Sequence, residues 1–74
     1  MTKDAWEAAD GAIRYQTLRL LGWTRHQAEK LYMRSWGELS KTARRKIQRC
    51  NHFMTVSDSL GTETEEVLKK GAVL

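Results

Sequence analysis

Apolar residues recur along this chain at helical spacing, and no stretch shows the alternating β-branched pattern of a strand. The first predicted helix runs from about Lys3 or Asp4 to Leu21. Ala5, Trp6, Ala9, Ala12, Ile13 and Leu20 fall on one arc of a wheel that turns about 100° per residue. Asp4 followed by Glu7 reads as a variant capping box at its start. Asp10-Gly11 interrupts the pattern, and glycine costs about 1 kcal/mol against alanine inside a helix. Two shorter helices meeting at that point are therefore the alternative. Gly22 suits the left-handed position that ends a helix, with Trp23 folding back on Leu18 in a Schellman motif.

Thr24 and Gln27 form a T-x-x-Q box that opens a second helix, from about Arg25 to Ser35. Ala28, Leu31, Tyr32 and Trp36 point inward by their spacing, while His26, Lys30 and Arg34 line the other side. Gly37 ends this helix, and a short turn from Trp36 to Leu39 leads to Ser40 as the next N-cap. The third helix is expected to be the longest, reaching toward Leu60. Ala43, Ile47, Cys50 and Met54 make its apolar stripe, which Phe53, Val56 and Leu60 broaden before Gly61 closes it. Lys41, Arg44, Arg45, Gln48, Arg49 and His52 take the opposite side.

Thr62 and Glu65 then make a T-x-x-E box, opening a short helix of about two turns through Lys70. Its early acids and late lysines both suit the helix dipole. Gly71 is its expected stop, with Ala72-Val73-Leu74 a frayed tail or a small apolar flap. The sequence thus predicts an all-α fold, a compact bundle of three main helices plus a short C-terminal helix, in one domain over residues 1–74.

A chain of 74 residues buries only about 60% of the surface its unfolded form exposes, so its core must be efficient. One cysteine permits no intramolecular disulfide. Trp6, Trp23 and Trp36 are the expected compensation, since a tryptophan can bury roughly 150–250 Å². No apolar run approaches the ~20 residues that cross a bilayer, and the chain does not open on a signal-peptide pattern. With the lone cysteine, that leads to an expected cytoplasmic setting.

Charge adds the functional clue. Gly11 to Ser57 holds ten Lys/Arg and two Glu, a net +8, whereas the segments before and after it each carry −2. The chain's overall +4 conceals a strongly cationic middle. Such a centre attracts and steers anionic partners.

Catalytic groups do not converge. Cys50 and His52 lie about 200° apart on a helix and cannot meet. One cysteine with His26 and His52 makes no recognised zinc spacing, and the chain has no glycine-rich phosphate loop, H-E-x-x-H or nucleophile elbow. We therefore expect a binding protein and not an enzyme, with no cofactor and no metal.

The basic helix is the positive signal. Five of the nine residues from Lys41 to Arg49 are Lys or Arg, and no acid occurs between Glu38 and Asp58. A merely solvated helix mixes acids with bases; here Lys41–Arg45 and Arg45–Arg49 repel at i, i+4. Arginine's planar fork suits phosphate or carboxylate. Arg44, Arg45 and Gln48 could read base edges from a major groove. Lys46 leans toward the apolar border, its stem running along the core edge.

The second and third helices form a helix-turn-helix-like pair. The turn between them is longer than in the compact DNA-binding version, and Lys46 falls where that version has an apolar residue, so no family is assigned. The tryptophans at the helix junctions read as core, with base stacking or interface anchoring as their alternative roles. The expected function is a small basic regulator of transcription type that binds DNA or RNA. Its surface comprises Lys41, Arg44, Arg45, Gln48, Arg49 and His52, with Lys30 and Arg34 as neighbours. The alternative is a stand-alone inhibitor or modulator docking the same face on an acidic surface of a larger enzyme, such as a nucleic-acid-processing machine. A bland structural or oligomerisation module is the third reading, and a membrane role is disfavoured because the narrow apolar stripe is needed for the core.

Overall fold

The computed structural model describes residues 1–49 and 58–72, with side chains for residues 1–49 and 61–70. The first thing it decides is the break at Asp10-Gly11. Helix α1 spans Lys3–Ala8 and helix α2 spans Gly11–Leu20, so residues 1–21 form two helices. Thr2, not Asp4, caps α1, its hydroxyl accepting from the Ala5 N–H at 3.1 Å. Asp4 instead sits in the first turn, where its charge suits the dipole. Ala9 leaves the helix in an extended conformation, and Asp10 caps α2 by accepting from the Ile13 N–H at 2.9 Å. Aspartate favours such caps because its side chain competes for nearby backbone N–H groups.

Gly11 has a packing reason of its own. A Cβ there would lie 3.2 Å from both Leu68 Cδ2 and Tyr32 Cε2, so a side chain at the start of α2 would require those two neighbours to give by a few tenths of an ångström. The break also resets the helical phase. Trp6 is fully buried, but on α2 the buried positions are Tyr15, Thr17 and Leu18. Ile13 and Leu20, placed on the apolar arc by continuing the wheel from α1, are 48% and 45% exposed.

The end of α2 follows the Schellman expectation. Gly22 has φ 111°, the Trp23 N–H donates to the Leu18 carbonyl at 3.1 Å, and the Gly22 N–H donates to the Arg19 carbonyl at 3.2 Å. Thr24 then opens helix α3, Arg25–Leu31, with both halves of its capping box formed. This helix stops short of Ser35. Ser35 precedes a 3₁₀ turn, Trp36–Glu38, and the Glu38 carboxylate accepts from both the Ser35 N–H and its hydroxyl. Those two bonds hold the Glu38 carboxyl below its ordinary value. Gly37 therefore lies inside the turn.

Ser40 caps helix α4, Lys41–Gln48, accepting from the Ala43 N–H at 3.2 Å, and Arg49 closes it. The connection from α3 to α4 thus covers residues 32–40 instead of a four-residue turn. It is lengthened because Tyr32, Trp36 and Leu39 all turn into the core. The predicted third helix thus ends at Arg49, short of the expected Leu60, while Cys50, His52, Phe53, Met54 and Val56 lie outside the described residues.

Helix α5, Asp58–Ala72, is longer than the two turns expected. It runs straight through Gly61 and Thr62, so neither the Gly61 stop nor the Thr62 cap is used, and Gly71 also lies within it. Thr64 and Val67 are buried, Leu68 packs on the core, and α5 lies against α2. That burial outweighs a glycine cost of about 1 kcal/mol.

The described residues form five α-helices and no strand, an all-α bundle. Its core gathers Trp6, Tyr15, Leu18, Ala28, Tyr32 and Trp36 with Leu39, Ala43, Ile47 and Val67. Tyr15 and Tyr32 meet edge to face at 6.0 Å. Polar atoms of the core are mostly paired: Trp6 Nε1 donates to the Arg34 carbonyl at 3.0 Å, and the Trp36 N–H donates to Glu7 at 2.8 Å. No helix among the described residues is long and apolar enough to cross a membrane.

Candidate nucleic-acid or partner interface

Helix α4 meets the core through one narrow seam. Ala43 and Ile47, four residues apart, are its buried side chains. Arg44 is half-buried, and Lys41, Thr42, Arg45, Lys46, Gln48 and Arg49 are exposed. At about 100° per residue, Arg45 lies about half a turn from the middle of the Ala43–Ile47 seam. It therefore forms the crest of the helix. Lys41 and Arg49, one turn before and after it, extend the crest into a ridge, with Gln48 and Arg44 on one flank.

The environment of this ridge differs from that of Arg14, Arg19 and Arg25. Arg14 donates through Nε to the Trp6 carbonyl, lies 5.1 Å over the Trp6 ring and stands 3.8 Å from Glu7. Arg19 bonds Glu63 at 3.0 Å and the Trp23 carbonyl at 2.7 Å. Arg25 pairs with Glu29 at 3.2 Å and with Glu66 at 3.3 Å. The carboxylates raise the pKa of Arg19 and Arg25, chiefly through their hydrogen bonds to Glu63 and Glu29. Among the described residues, Lys41, Arg44, Arg45 and Arg49 make no such ion pair with any acid. Glu38, the acid that precedes them in sequence, is occupied by Ser35.

Lys46 has a different task. Its Nζ sits 5.1 Å over the ring of Trp23, joining α4 to the turn between α2 and α3. The expectation that its stem follows the apolar border becomes a specific cation–π contact. Nothing in the local sequence names Trp23 as its partner, because the two residues meet only through the tertiary fold.

The remaining candidates are placed less centrally. Lys30 and Arg34 are exposed, as their spacing with His26 predicts. Arg34 Nε donates to the Lys30 carbonyl, and among the described residues no hydrogen bond or ion pair links either one to α4. His52 lies outside the described residues. Gln48 is exposed beside the ridge.

Other chemistry is sparse. A shallow cleft of about 180 Å³ is lined by Glu29, Tyr32, Val67 and Lys70, and it lies on the α3–α5 side. Among the described residues no group of three or more His, Cys, Asp or Glu could hold a metal ion. The Tyr15 hydroxyl is buried with no hydrogen-bond partner among the described residues, and burial, followed by the nearby Glu63 charge, pushes its pKa up to about 12. Compared with family models, curated proteins and solved structures, the chain has no match.

Proposed function

We propose that this protein is a small basic regulator that binds nucleic acid through the outer face of α4. One observation carries the reading: Lys41, Arg44, Arg45 and Arg49 share a helix and have no carboxylate partner among the described residues, while Arg14, Arg19 and Arg25 all have one. Unpaired like charges at i, i+4 cost a few tenths of a kcal/mol each in the free protein, a cost that an anionic ligand reverses. Phosphate contacts supply most of the affinity, and arginine's fork favours them. Lys30 and Arg34 act as outlying cations that steer the approach. Gln48, and His52 beyond the described residues, complete the surface. Such a regulator acts in the cytoplasm and requires neither cofactor nor catalytic group.

The test is capture of partners by the full chain with and without nuclease, paired with binding measured across salt concentrations. Four phosphate contacts give log K falling against log salt with a slope of about −4. The bound partner should be lost after nuclease treatment. Binding indifferent to salt would sink the proposal. A protein partner that survives nuclease would replace it with the competing reading, a modulator docking on an acidic protein surface.

A further inference from the structure

Resting on the nucleic-acid reading above, we propose that the α4 face takes B-form duplex DNA, with the helix lying in the major groove. Among the described residues, the surface lacks what single strands require. Proteins that hold single strands stack successive bases on exposed aromatic rings. Here Trp6, Tyr15, Tyr32 and Trp36 are buried in the core. Trp23, the half-buried aromatic near α4, is capped by the Lys46 ammonium at 5.1 Å. None of the described aromatic side chains offers a free ring beside the ridge.

The shape of α4 suits a groove. Because only Ala43 and Ile47 are buried, most of the circumference of α4 stands clear of the domain. From Lys41 to Arg49 the ridge rises roughly 12 Å along the helix axis. A B-form major groove, about 12 Å wide and 8.5 Å deep, admits such a helix. The deep, narrow major groove of an RNA duplex does not.

The order of side chains around the helix fits the same groove. Arg45, on the crest, is aimed where a groove presents base edges, and guanine O6 and N7 accept its fork. Gln48 stands on one flank with the amide that pairs with adenine. Lys41, Arg49 and the lower-lying Arg44 face the phosphates on either side. The acidic first ten residues, with Asp4, Glu7 and Asp10 all exposed, belong to α1 and the segments flanking it, and the Met1 ammonium donates to the Ile47 carbonyl of α4 at 3.0 Å.

Fluorescence anisotropy of the full chain distinguishes the targets at fixed salt. The probes are a labelled DNA duplex of roughly 20 base pairs, each of its single strands, and an RNA duplex of the same sequence. The DNA duplex should bind at least about 10-fold tighter than either alternative. Arg45→Ala should weaken duplex binding about 10-fold and narrow that gap, with circular dichroism unchanged. A single strand or RNA duplex bound as tightly as the DNA duplex overturns this assignment and leaves nucleic-acid binding standing. A gap that Arg45→Ala leaves untouched overturns it as well. No binding to any of the four probes at low salt overturns both readings.

Discussion

Two groups of arginines divide this molecule. Arg14, Arg19 and Arg25 lie on α2 and α3 and reach back to carboxylates or carbonyls of other elements. Arg44, Arg45 and Arg49 lie on α4 and reach toward solvent. The first group spends its hydrogen bonds within the fold, so its charge is largely cancelled at close range. The second makes no ion pair among the described residues. The position of the acids is what separates the two groups. Arg19 and Glu63 are 44 residues apart in sequence and 3.0 Å apart in the structure.

The sharpest way to break this comparison is charge reversal on α4. Arg44→Glu combined with Arg45→Glu should lower affinity for nucleic acid at least about 100-fold and reduce the salt slope by about 2. Thermal stability should hold or rise slightly, because repulsive i, i+4 pairs are relieved. Binding isotherms and melting curves on the same sample read both quantities. Intact binding would leave the surface a merely solvated one.

Arg19→Ala should do the reverse. Losing the bonds to Glu63 and the Trp23 carbonyl should cost about 1–2 kcal/mol, allowing for the partial exposure of the pair. In a domain of this size, that lowers the melting temperature by several degrees. Duplex affinity of the folded fraction should stay within about twofold. A large loss of binding without a loss of stability would merge the two groups.

Tyr15→Phe gives the finest cut, since it probes what surrounds the Arg19–Glu63 pair. Among the described residues the phenol has no hydrogen-bond partner, so removing it should change stability by no more than about 1 kcal/mol, toward stabilisation. Its pH signature is sharper. The native phenol keeps its proton up to about 12, whereas the unfolded one loses it near 10. The unfolded state therefore binds fewer protons over that interval, and stability falls as pH rises from 10 to 12. The phenylalanine variant should show a shallower decline over the same window in urea titrations. Parallel declines would mean that the phenol contributes nothing there.

Local signals in the sequence were read correctly where neighbouring residues complete them. Gly22 with Trp23, Thr24 with Gln27, and Ser40 with Ala43 are all short-range arrangements, and each forms as expected. Signals that tertiary packing overrides were misread. Gly61 and the Thr62 box have the chemistry of a helix boundary, yet burial of Thr64 and Val67 carries α5 through them. The apolar arc failed on Ile13 and Leu20 because the Asp10 cap resets the phase. For the candidate site, exposure of Lys41, Arg45, Gln48 and Arg49 was legible from periodicity. Which cations lack partners was not, since acids such as Glu63 and Glu66 arrive from the far end of the chain.

The narrow seam of α4 has a consequence for how this protein can change over generations. Six of the eight positions from Lys41 to Gln48 lie outside the buried core. Substitutions at those positions disturb little packing, so the outward face can drift, acquire a new preference or lose one while the bundle stays folded. Ala43 and Ile47 hold the helix in the core and Lys46 ties it to Trp23, while the outermost positions are free to be rewritten.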